Sequence, residues 1–211
     1  MITVTVPRLI DVAGFRMLWR DWRAEAVLGI ATAAGVIVLG VLEGVLIAVV
    51  LALGQLVYKA AHPHDAVLTV PSPGAPAREV SESRLLYSAV LIYRIDAPLF
   101  FVNIRQVSER LLALSATSGP DLRYVILDAE MVFYLDASAA DEVANIVEQL
   151  RVRGCELLLA RARAPVVAKL RANPYHHGAT RDLRDFPDVR QAHDYAVRQL
   201  DARHGGEITD E

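Results

Sequence analysis

The residues with the most chemical content stand in two neighbouring phrases, Leu127-Asp128-Ala129-Glu130 and Leu135-Asp136-Ala137-Ser138. They place carboxylates and a hydroxyl around a loop between a predicted strand and a predicted helix start. Paired carboxylates can perform general acid/base catalysis. No histidine or other base stands beside these in sequence, and Ala137, Ala139 and Ala140 offer few polar neighbours, so no enzyme is expected. Two other roles fit the residue types. Ser138 is expected to cap the helix by accepting from a free backbone N–H, with Asp136 complementing the helix dipole. Alternatively, Ser138 is a phospho-acceptor with Asp136 and Asp128 as its regulatory surroundings. The dipole favours a phosphate there while Asp136 and Asp141 repel it, and that conflict is what makes a switch.

The remaining reactive residues are less informative. His62 and His64 flank Pro63, and His176 adjoins His177, but neither pair has carboxylates or thiols at metal-ligand spacing. They are expected to be solvated loop histidines. The single cysteine, Cys155, excludes an intrachain disulfide and is expected to be a small core residue. No phosphate-binding glycine loop or nucleophile elbow is present, so no cofactor and no metal are expected. A net charge of -3 provides no electrostatic footprint for nucleic acid.

The elements that position the two phrases alternate in type. Pro63, Pro71, Pro73, Gly74 and Pro76 mark a linker or irregular stretch, with Ala66 to Val70 a first strand inside it. Leu86 to Ile95, rich in branched and aromatic residues, is predicted as a strand. Asn103 with Gln106 resembles a capping box opening a helix on Ile104, Val107, Leu111 and Leu114. Tyr124 to Leu127 has the continuous apolar character of a strand buried on both faces. A helix carrying Val143, Val147 and Leu150 follows Ser138 and closes at Gly154. Glu156 to Ala160 is another strand, Pro165 opens a third helix, and Val189 to Leu200 define a fourth that ends near Gly205. Strands alternating with helices predict an α/β domain, a mixed and mostly parallel sheet covered by helices.

Apolar residues are concentrated at the other end of the 211-residue chain, which is 54% hydrophobic and has a mean hydropathy of +0.30. Ala26 to Leu42 is an uncharged run of 17 residues, and Gly44 to Tyr58 adds 15 more. The first run would form a helix roughly 25 Å long, against a hydrocarbon core of about 30 Å. One span cannot hold both runs. A transmembrane α-helical hairpin at about 24–60, reversing near Gly40–Gly44, accommodates them. Arg8, Arg16, Arg20 and Arg23 before it and Lys59 after it put both flanks on the cytoplasmic side. Trp19, Trp22 and Tyr58 stand at the same boundaries. The run begins too late and is too long for a signal peptide. Its many small residues predict close packing with further membrane helices.

These residues also resemble a known family. Leu9-Ile10-Asp11-Val12-Ala13-Gly14-Phe15-Arg16, Leu18-Trp19-Arg20 and the glycine-rich hairpin are similar to the last membrane helices of the SulP/SLC26-type (sulfate permease) anion transporters. Tyr93-Arg94-Ile95-Asp96-Ala97-Pro98-Leu99-Phe100-Phe101-Val102-Asn103, Leu127–Glu130 and Asp136–Ala140 resemble the STAS domain that ends those proteins. The resemblance spans about residues 9–200. It implies membrane helices at 1–60, a linker and first strand at 61–80, a STAS domain at 81–203 and a tail at 204–211. It further implies secondary transport of an inorganic anion such as sulfate by a dimeric, multi-pass protein of the inner (plasma) membrane, with the STAS domain cytoplasmic. The expected partners are the lipid bilayer, an upstream transporter membrane domain, a second copy and a regulatory protein at the STAS domain. STAS domains also resemble anti-sigma-factor antagonists, whose phospho-acceptor matches Ser138, although Ala137 and Ala139 depart from that pattern. The family's anion site lies upstream of the matched region. No substrate-binding residue carries over, and the chain alone is not expected to transport.

Overall fold

A computed structural model describes residues 19–20, 23–70, 76–81, 88–174 and 178–207. The Leu9–Arg16 phrase, Arg8, Leu18, Trp22, Pro71, Pro73, Gly74, Leu86, Tyr87, His176 and His177 lie outside the described residues. The chain divides into two units, Met1–Lys59 and Ala60–Glu211.

In the first unit the apolar runs form two helices, α1 (Arg23–Leu39) and α2 (Val41–Ala61). Gly40 separates them at φ +106°, a left-handed backbone that a residue with a Cβ adopts only under strain. The turn is tight: the Gly40 N–H donates to Val36 O, and the Gly44 N–H donates to Gly40 O. Glu43, in the first turn of α2, folds its carboxylate back over Gly40, where it also opposes the positive end of the helix dipole. Small residues let the helices meet. A Cβ built on Gly44 would lie 2.5 Å from the Val36 backbone nitrogen, and one on Gly35 would lie 3.5 Å from Gly44 Cα. Among the described residues, α2 alone is long and apolar enough to cross a membrane. Its 21 residues reach about 31 Å at 1.5 Å each. The shorter α1 is apolar from Ala26 to Leu39. Both helices expose large apolar side chains such as Val38, Val41 and Leu42.

The second unit is built on a six-stranded mixed sheet of order β2-β1-β3-β4-β5-β6. Its strands are β1 (Asp65–Thr69), β2 (Arg78–Glu79), β3 (Val90–Ile95), β4 (Tyr124–Asp128), β5 (Glu156–Ala160) and β6 (Arg184–Phe186). The hairpin β1–β2 and the β1–β3 pair are antiparallel, and β3 through β6 run parallel. The parallel crossovers are α3 (Ile104–Thr117), α4 (Ala137–Val152) and α5 (Ala164–Arg171), and α6 (Val189–Glu207) follows the last strand. Alternation along the strands divides the core in two. Leu91, Val125 and Leu157 pack toward α3, α4 and α5, whereas Ile92, Ile126 and Leu158 pack toward Val189, Ala192 and Ala196 of α6. The register that aligns Ile92, Ile126 and Leu158 across the sheet therefore decides which face each side chain covers.

The mixed, mostly parallel sheet with helical cover is the fold expected from the residues. Several details differ. The strand expected from Leu86 is described only from Val90, where Ser88 Oγ donates to Val90 O. The short edge strands β2 and β6 have too few residues for a periodicity of their own; pairing with β1 and β5 defines them. Asn103 is the N-cap of α3, but its side chain forms no cap bond. Instead its Oδ1 accepts from Phe100 N and its Nδ2 donates to Pro98 O, which stiffens the loop before the helix. Gly154 follows α4 at φ +75°, as a helix-ending glycine should.

The Gly44–Val36 contact gives a direct test. Gly44→Leu is expected to destabilise the helix pair by about 1–3 kcal/mol through overpacking. Gly29→Leu, with nothing within 4 Å of its Cβ position, should change little. Unfolding of the detergent-solubilised chain followed by circular dichroism distinguishes them, and equal effects would contradict the close approach.

Candidate functional site

β3 and β4 are adjacent and parallel, so the loops at their carboxyl ends are neighbours, the usual place for a site in an open α/β sheet. Backbone bonds join the loops. Leu99 N donates to Tyr134 O at 3.0 Å, Asp136 N donates to Leu99 O at 3.3 Å, and Leu99 and Leu135 form a parallel bridge. Asp136 completes the junction. Its Oδ1 accepts from Ala139 N at 2.7 Å and its Oδ2 from Phe101 N at 2.8 Å. One carboxylate thus caps α4 and holds the β3–α3 loop.

This corrects the expected cap. Asp136, in extended backbone, is the N-cap, and Ser138 is the second residue of α4, exposed to solvent. Asp136 stands three residues before Ala139, the interval that places a capping oxygen against a free N–H of the first turn.

Asp128 has a different partner. It ends β4, is 0% exposed, and is held by Arg161 through Nε to Oδ1 at 2.9 Å and through Nη2 to Oδ2. Arg161 also pairs with Glu130 through Nη1. The bond to Asp128 raises the Arg161 pKa further above its ordinary value, so the guanidinium stays charged. Arg161 follows β5 at φ +57°, left-handed for a residue with a side chain, and its N–H donates to Phe186 O. The structure therefore gives Asp128 and Asp136 separate partners instead of bringing them together as an acid/base pair. Both carboxylates are committed to holding the loops.

The loops also display apolar surface. Phe101 is 71% exposed and Phe133 60%, with Met131 and Tyr134 exposed beside Phe133 in sequence. Lys169 of α5 donates to Leu135 O at 2.8 Å and lies 5.0 Å from the centre of the Tyr134 ring. Arg161, Lys169 and the aromatic residues were not selected by sequence reasoning. The signal available for Arg161 was its place immediately after a central strand; Lys169 had none, because its role depends on a loop 34 residues away.

Elsewhere, His64 Nδ1 lies 3.2 Å from Asp96 Oδ2 in an exposed pair. Cys155 is buried, its thiol donates to Leu122 O at 3.3 Å, and burial raises its pKa. Among the described residues no group of three or more His, Cys, Asp or Glu side chains is arranged to hold a metal ion.

Residues 85–181 match the STAS domain. A probable sulfate transporter of Mycobacterium tuberculosis strain H37Rv is 33% identical over 174 residues, covering 82% of this chain and 31% of that protein. The chloroplastic sulfate transporter 4.1 of Arabidopsis thaliana is 25% identical over 177 residues, 79% of this chain and 26% of that protein. Among solved structures, the murine Solute Carrier 26 family member A9 anion transporter in its inward-facing state superposes with a TM-score of 0.74 at 17% identity. That match covers 93% of this chain and 32% of the other, and it shows the fold. The second unit has the STAS fold, and the likeness to SulP/SLC26-type transporters, apolar helices followed by a STAS domain, is borne out. The chain spans about a third of the length of the curated relatives it matches. Those relatives are transporters by name, not enzymes.

The buried Asp128–Arg161 pair generates a stability prediction. Arg161→Met leaves a buried carboxylate without its counter-ion and is expected to cost about 3–5 kcal/mol. Adding Asp128→Leu should recover most of that loss. Urea unfolding of the single and double variants measures both effects, and a neutral Arg161→Met would show that the pair contributes nothing.

Proposed function

We propose that the chain is the STAS-bearing part of a secondary active transporter for an inorganic anion of the sulfate type. In this proposal α1 and α2 are terminal membrane helices that work with an upstream membrane domain in the inner (plasma) membrane. The STAS domain lies in the cytoplasm and provides regulation or contacts within a homodimer. The lipid bilayer is the medium of the first unit, and no nucleic acid is involved. By itself the 211-residue chain does not move anions.

One observation carries this proposal. A match covering 82% of a 211-residue chain must include α2, wherever it starts. The 33% identity to a named sulfate transporter therefore extends beyond the STAS domain into the apolar helix that precedes it. A soluble protein that merely shares the domain would not be expected to match there. The exposed apolar side chains of α1 and α2 support a membrane setting.

Reconstitution tests it. Vesicles containing only this chain should show sulfate uptake equal to empty vesicles. A chimera in which the chain replaces the matching segment of the mycobacterial relative should restore uptake that the truncated relative lacks. Uptake by the chain alone, or an inserted but inactive chimera, would overturn the proposal.

A second reading is a self-contained membrane-tethered STAS regulator, resembling an anti-sigma-factor antagonist and switched by phosphorylation at Ser138; the same switch can be read out in the chimera. It is favoured by the exposure of Ser138 in the first turn of α4, beside the Asp136 junction and the exposed aromatic residues. A phosphate there gains from the helix dipole and loses against Asp136, so phosphorylation would loosen the junction between the two loops. In the chimera, Ser138→Asp should change uptake at least about fivefold, the lower end of a useful coupling energy, while Ser138→Ala leaves it unchanged. Identical rates for the two variants would remove the switch.

A further inference from the structure

The opposite end of the sheet, where β4 and β5 begin, holds a cavity of about 430 Å³ that the transporter reading does not use. Four arginines from four different parts of the chain line it. Arg123 precedes β4, Arg151 lies in the last turn of α4, Arg184 opens β6, and Arg203 comes from α6. Two carboxylates share the rim, Glu156 and Asp182. Glu156 is already engaged by Arg184 at 3.4 Å. The floor is different in kind: Tyr124, Val147, Cys155 and Leu157 are all buried.

Two of the four guanidinium groups are held in place. Arg123 Nη1 donates to Pro120 O at 2.6 Å and Leu122 O at 3.0 Å. Arg184 lies 5.0 Å from the centre of the Tyr195 ring. Arg151 and Arg203 form no ion pair among the described residues. Four cations facing two anions across an apolar floor focus a positive potential into the cavity, and a dianion relieves the repulsion among them. Guanidinium groups bind tetrahedral oxyanions through paired N–H donors. A free inorganic anion would leave most of 430 Å³ to water and would not use the floor. A larger molecule would use both.

We propose that this cavity binds a small organic molecule carrying a phosphate monoester, with the dianionic oxyanion on the arginines and the apolar body beside Val147, Cys155 and Leu157. The site is independent of anion transport and of Ser138.

The test titrates the full chain in detergent by calorimetry at constant ionic strength, with phenyl phosphate, phenyl sulfate, inorganic phosphate, inorganic sulfate and chloride as probes. Saturable binding of phenyl phosphate is expected, at least about tenfold tighter than inorganic phosphate because the body adds buried apolar area, and tighter than the singly charged phenyl sulfate. The Arg151→Gln/Arg203→Gln double variant should weaken it by more than about tenfold through lost charge-assisted bonds. Both positions are exposed, so the fold should persist, as circular dichroism can verify. Arg105→Gln, whose side chain is 86% exposed on α3, should bind as the unaltered chain does. No saturable binding, equal binding of chloride, equal affinity for ester and inorganic anion, or an unaffected double variant would each overturn the proposal.

Discussion

β4 has all five of its residues buried, and most of the second unit follows from covering it. A strand enclosed on both faces needs helices on both sides, so α3, α4 and α5 occupy one face and α6 the other. It also needs a counter-ion, because its last residue, Asp128, is a carboxylate with no access to water. Arg161 supplies the charge from the end of the neighbouring parallel strand, at the cost of a left-handed backbone. The parallel register, which sets Asp128 beside Ala160, brings that arginine to the carboxylate.

The same topology explains why the Asp136 junction exists. Parallel neighbours put the β3–α3 and β4–α4 loops side by side, and Asp136 bonds to a backbone N–H of each. Holding these loops still has a consequence at the surface. Phe101, Phe133 and Tyr134 remain outside the core, on loops whose backbones are fixed by hydrogen bonds. Ordered aromatic side chains on a rigid scaffold are a common basis for protein contacts. The domain therefore carries chemistry at both ends of its sheet: a loop junction with exposed aromatic residues at the carboxyl ends, and an arginine-lined cavity at the amino ends.

In the first unit the governing constraint is steric. Gly40 permits the reversal, and Gly44 permits the approach of Val36, so two helices of apolar surface pack backbone against side chain. The sulfate transporters that the chain matches in sequence are about three times its length.

The long elements were legible because hydrophobic periodicity is local. Val143, Val147 and Leu150 announce one face of α4, the continuous run from Tyr124 announces a buried strand, and the apolar helices announce themselves by composition. Gly40 was legible as a turn because only glycine is unstrained there. The edge strands, the cap of α4 and the partners of the carboxylates were not legible. β2 and β6 are strands only because β1 and β5 lie beside them. Ser138 and Asp136 are both good capping residues, and the choice between them depends on a backbone angle at Asp136 that the adjoining loop sets. Asp128 reads as a free acid in sequence, yet it is a buried ion because Arg161, 33 residues away, crosses from the next strand. Sequence alone determined the long helices, the central strands and that one end of the chain is apolar, since those follow from neighbours within a few residues. Tertiary structure alone decided what each charged side chain does, because a charge acts on whatever the fold places within a few ångströms of it.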